Sequence, residues 1–67
     1  MNATNVQSLV RSVIVMFGLP FAVVSVFASP AGWKVVVRAG TGEIVRFTVA
    51  DGERDDMRST IRRALEA

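Results

Sequence analysis

The stretch from Trp33 to Val49, WKVVVRAGTGEIVRFTV, leaves this chain few options. Two runs of β-branched and aromatic residues flank a glycine turn, and within each run apolar side chains recur at every second position. A period of two is the mark of a strand that is buried on one face only. Trp33, Val35 and Val37 then point one way and Lys34, Val36 and Arg38 the other. In the second run Val45, Phe47 and Val49 oppose Ile44, Arg46 and Thr48. The turn selects the register. A three-residue loop, Gly40-Thr41-Gly42, with Gly42 in the left-handed position of a bulge, pairs Ala39 with Glu43 and stacks Val37 on Val45, Val35 on Phe47 and Trp33 on Val49. A loop shorter by one residue would turn Arg46 into the core as an unpaired charge, which is too costly to be adopted.

What precedes the hairpin is almost wholly apolar. Val6, Leu9, Val10, Val13 and Phe17 fall at helical intervals, and Thr4-x-x-Gln7 has the spacing of a capping box, so a helix is expected over residues 1–18 with Thr4 as its N-cap. Val15 interrupts the polar side. Gly18 suits the left-handed residue that ends a helix, Leu19 the apolar contact beyond it, and Pro20 blocks continuation. Phe21 to Ala28 is short and rich in Val and Phe, as a strand is. Ser29-Pro30-Ala31-Gly32 reads as a type I turn with a bulge, pairing Ser29 with Trp33. That register sends Phe21, Val23, Ser25 and Phe27 to the core face and Ala22, Val24, Val26 and Ala28 to the other. Ser25 is the misfit in this register, and a four-residue loop would reverse the faces.

After the hairpin, Asp51 is a natural N-cap, and Glu53, Asp55 and Asp56 suit the positive end of a helix dipole. Met57, Ile61, Ala64 and Leu65 form an apolar stripe in a helix expected to run through Ala67. The fold class is therefore α+β: a single domain of order α-β-β-β-α, a three-stranded antiparallel meander with both helices on its inner face. The expected core is Val10, Val13, Phe17, Trp33, Val35, Val37, Val45, Phe47, Met57, Ile61 and Leu65.

Composition narrows the function. A chain of 67 residues lies near the lower limit for folding alone, and small folds often complete their core with a partner subunit. There is no cysteine, histidine or tyrosine, which removes disulfides, thiolate metal sites and the side chains most used for proton transfer. The expectation is a protein that is not an enzyme and needs no cofactor. The net charge of +2 is too small to argue for nucleic acid.

Three surface features stand out. On the outer sheet face Val24, Val26, Val36 and Ile44 lie beside Lys34, Arg38 and Arg46, and contiguous apolar surface on a small protein usually marks a contact site. The first strand is an apolar edge with no charge to blunt it. The expected partner is a second copy or another protein, bound through Val24, Val26, Val36, Arg38, Ile44 and Arg46. Arg54, Arg58 and Arg62, with Arg63 beside them, line one helix face and supply a nucleic-acid alternative, although Asp55, Asp56 and Glu66 lie close enough to neutralise them. The acidic cluster Asp51, Glu53, Asp55 and Asp56 is read as helix capping rather than a metal site, and Trp33 as core rather than a stacking platform.

The order α-β-β-β-α resembles that of double-stranded-RNA-binding domains. The resemblance is one of order alone: where that family opens its second helix with lysines, this chain has Glu53, Asp55 and Asp56. Small toxin ribonucleases share the order but use a histidine, and this chain has none.

The absence of charge from Ser12 to Trp33 gives a membrane alternative, since that length reaches the threshold for a spanning helix, with Arg11, Trp33 and Lys34 as interfacial anchors. A secretory signal cleaved after Val26-Phe27-Ala28 is a variant of it. Gly18-Leu19-Pro20 in the middle of the stretch favours helix, turn and strand instead, and with them a soluble, cytoplasmic protein.

Overall fold

A computed structural model describes residues 2–66; Met1 and Ala67, the ends of the two expected helices, lie outside the described residues. The order is α1 (Ala3–Met16), β1 (Phe21–Ser29), β2 (Gly32–Ala39), β3 (Ile44–Val49) and α2 (Arg54–Glu66). The strands form one antiparallel sheet in sequence order, an α+β fold of the expected topology. One core cluster takes Val6, Leu9, Val10 and Val13 from α1, Val35, Val37 and Val49 from the inner face of the sheet, and Met57, Ile61 and Leu65 from α2. Both helices therefore cover the same face.

The N-cap of α1 is Asn2, not Thr4. The Asn2 side-chain oxygen accepts from the Asn5 N–H at 2.9 Å, and the Asn2 carbonyl accepts the first helical bond, from Val6, at 3.1 Å. Asparagine and threonine both cap well, and the helix takes the earlier of the two, gaining residues. Its far end follows the expectation. Gly18 has φ +60°, its N–H donates to Val15 O at 3.3 Å, and the Leu19 N–H donates to Ile14 O at 2.9 Å. This crossed pair is the Schellman motif, and Leu19 and Ile14 both pack against the core beside it. Phe17 is the exception in the core list. Helical geometry stops at Met16, so Phe17, as the C-cap, leaves the apolar stripe and stands 37% exposed.

The β2–β3 register matches the alternation residue for residue, from Trp33 opposite Val49 to Arg38 opposite Ile44. The Ala39 N–H donates to Glu43 O at 2.8 Å, and the Gly42 N–H donates to Ala39 O at 2.9 Å, with Gly42 at φ +93°. The turn is thus the three-residue loop that keeps Arg46 in water.

The β1–β2 pairing departs from expectation. Ser29 pairs with Gly32 and Ala28 with Trp33, so the loop holds only Pro30 and Ala31. A bulge between Val23 and Ser25 then adds one residue to β1. Each half of the strand consequently obeys a different parity. Phe21 and Val23 face inward as expected, paired with Ala39 and Val37. Past the bulge it is Val26, opposite Val35, that packs on the core, while Ser25 and Phe27 lie on the outer face. The two-residue loop removes the misfit noted in the sequence, exchanging a serine hydroxyl that would have needed a buried partner for Val26, and the bulge returns Val23 and Phe21 to the inner face. The cost is Phe27, left 49% exposed.

Helix α2 begins at Arg54, and the first helical bond runs from the Met57 N–H to Glu53 O at 3.0 Å, so Asp51 lies upstream of the capping position expected for it. Asp55 and Asp56 do occupy the first turn and Arg63 the last, each at the end where the helix dipole favours its charge. The uncharged stretch from Ser12 to Trp33 is divided among α1, the Gly18 turn, β1, the Pro30-Ala31 turn and the start of β2. No helix among the described residues is long and apolar enough to cross a membrane.

Candidate functional site

With both helices on the inner face, the outer face of the sheet is left open, and strand pairing arranges its side chains in three rows. Phe27, Lys34 and Thr48 form one; Ser25, Val36 and Arg46 the next; Ala22, Arg38 and Ile44 the third. Of the residues expected there, Val36, Arg38, Ile44 and Arg46 hold those positions. Val24 sits in the bulge, 52% exposed. Val26 does not belong to the surface: it opposes Val35 on the inner side and packs against the core. Phe27 takes its place as the largest apolar group on the outer face. The sequence held one sign of this, since counting Pro30-Ala31 as a two-residue loop makes Phe27 face outward with Lys34.

The rows contain three cations, Lys34, Arg38 and Arg46, and no carboxylate. Between Phe27 and Val36 lies a shallow depression of about 370 Å³ whose rim includes Lys34, Arg46 and Thr48. A second recess, of about 410 Å³, opens at the β1–β2 turn, where Trp33 and Asp51 line it. Trp33 also packs against the core, which is its expected role.

The sheet has two edges, β1 and β3. β1, FAVVSVFAS, carries no charge, and α1 packs over it. Val15 and Met16 near the end of α1 are 80% and 60% exposed. Within β1 itself Val24 is 52% and Phe27 49% exposed, and an uncharged edge strand has backbone groups that can extend the ladder.

The arginines of α2 are partly engaged within the chain. Arg58 Nη1 lies 3.5 Å from Asp55, and Arg62 Nε donates to Glu66 at 3.1 Å. The Arg62 guanidinium also stands 3.9 Å over the Phe17 ring, joining the C-terminal ends of the two helices. Exposed pairs of this kind each contribute about 0–1 kcal/mol, and the stack about 0.5–1 kcal/mol. Arg54 and Arg63 are exposed. Among the described residues the carboxylates of Asp51, Glu53, Asp55 and Asp56 do not converge into a group able to hold a metal ion.

No protein-family model matches the chain, and neither the curated proteins nor the solved structures contain a significant match to it.

Proposed function

We propose that this chain is a small non-enzymatic binding domain that acts through protein–protein contacts, pairing with a second copy through β1 and keeping the outer sheet face for a partner. One observation carries the self-association: β1 is an uncharged edge strand of nine residues whose own Val24 and Phe27 are exposed apolar side chains. Such an edge is a template for another strand. Two copies joined antiparallel about a two-fold axis would form a continuous sheet and cover Val24 at its centre. Face-to-face pairing of the two outer faces is disfavoured, because Lys34, Arg38 and Arg46 of each copy would meet their own likeness with no carboxylate between them. The lack of histidine, cysteine and tyrosine supports a role in binding rather than proton transfer.

Sedimentation equilibrium tests this reading. The wild type is expected at twice the 7.3 kDa chain mass in the micromolar range. Val24→Lys, which places a solvated charge on the edge, is expected to return it to the monomer with its circular dichroism unchanged. A monomeric wild type, or a dimer indifferent to Val24→Lys, would contradict it.

A further inference from the structure

We infer that the outer sheet face is a docking site for an amphipathic α-helix of another protein, one whose apolar seam is flanked by carboxylates. Phe27 in the first row, Val36 in the second and Ile44 in the third occupy successive strands, so they form a diagonal apolar stripe across the sheet. Lys34 and Arg46 lie along one flank of that stripe and Arg38 along the other. Strands lie about 4.8 Å apart and alternate residues about 6.8 Å apart along a strand, which makes each diagonal step about 8 Å and the stripe about 17 Å long. At a rise of 1.5 Å per residue, a helix covers that length in about 11 residues, or three turns. Apolar positions at i, i+4, i+7 and i+11 would follow the stripe, and the depression beside Val36 is open to one of these side chains. Acidic residues on both sides of the seam would meet the cations. Complementary charge of this kind sets orientation and on-rate more than affinity.

Other occupants fit less well. A single-stranded nucleic acid uses a succession of aromatic faces, and the stripe offers only Phe27. Recognition of an anionic bilayer uses clusters of about four to eight cations, and this face carries only Lys34, Arg38 and Arg46. A second copy brings no suitable helix: α1, ATNVQSLVRSVIVM, has no carboxylate, and Met57, Ile61 and Leu65 of α2 are buried. The inference rests on the domain being a protein-contact module, but not on its dimerising through β1.

The test is a titration of the isotope-labelled full-length chain with a synthetic helical peptide bearing leucine at i, i+4, i+7 and i+11 and glutamate on both flanks. Saturable chemical-shift changes centred on Phe27, Val36 and Ile44 are expected at low salt. Changing Arg38 and Arg46 together to Glu should weaken binding about tenfold or more. The same variant should prefer a peptide with lysine in place of glutamate, a reversal that an unfolded protein would not show. Absence of saturable binding, shifts confined to β1 or α2, or tighter binding of a single-stranded oligonucleotide or anionic vesicles at this face would overturn the inference. Sedimentation of the same samples separates the two ideas. A dimer that ignores the peptide sinks only the helix site, and a monomer that binds it sinks only the edge pairing.

Discussion

Changing Gly32 to Ala asks the β1–β2 turn to accept a methyl group where the end of β3 already stands. A Cβ built on Gly32 would collide with the carbonyl oxygen of Val49 and lie 2.9 Å from Cα of Ala50, backbone atoms that no side-chain rotation can move aside. The residue also has φ +130°, a region essentially confined to glycine. Backbone strain of this kind costs about 1–3 kcal/mol, and forcing extra volume into a packed site about another 1–3 kcal/mol. The sum, about 2–6 kcal/mol, is a large share of the roughly 3–10 kcal/mol expected for a chain of this length. Gly18 supplies the control. It too has positive φ, at +60°, but open space surrounds its Cβ position. Gly18→Ala should therefore cost only the left-handed backbone penalty, about 1–2 kcal/mol. Urea unfolding followed by circular dichroism measures both, provided the slope m is unchanged. Equal losses in the two variants would refute the close approach of the first turn to the end of β3.

Other substitutions probe the remaining joints. Asn2→Ala should lower stability by about 1 kcal/mol while Thr4→Ala changes it little, a contrast that thermal melts would reveal and that would reverse if Thr4 were the cap. Leu9→Ala, at the centre of the core, should cost about 2–5 kcal/mol in denaturant unfolding. Val15→Ala, on a side chain 80% exposed, should stay within about 0.5 kcal/mol. A double-mutant cycle on Arg62→Ala and Phe17→Leu should return a coupling of about 0.5–1 kcal/mol for the stack that ties the helix ends together, and a null coupling would show the contact to be incidental.

How far the chain could be read in advance depended on whether a residue pattern singled out one arrangement. The β2–β3 register was legible because a slip of one residue would bury Arg46, and because Gly42 can take the conformation that prevents it. The end of α1 was legible because Gly18, Leu19 and Pro20 each serve a different part of the same capping motif. β1 was not, and the reason is physical. From Phe21 to Ala28 both faces are apolar apart from Ser25, so alternation specifies no register and a bulge changes the pattern without a visible conflict. That ambiguity exchanged Val26 and Phe27 between core and surface, and with them a member of the candidate site. Phe17 was misplaced for a simpler reason: helical spacing predicts a face only as far as the helix runs. At the starts of the two helices, more than one residue able to cap lies within a few positions, Asn2 with Thr4 and Asp51 with Asp55 and Asp56, and this left the boundary open.

The parity change within β1 decides what the outer face presents, so the most direct test is a set of backbone nuclear Overhauser contacts between β1 and β2. The structure predicts cross-strand contacts pairing Val26 with Val35 and Ala28 with Trp33, then Val23 with Val37 beyond the bulge. Contacts pairing Ser29 with Trp33 and continuing in one unbroken register to Phe21 would contradict it, returning Phe27 to the core and leaving the proposed docking stripe without its first residue.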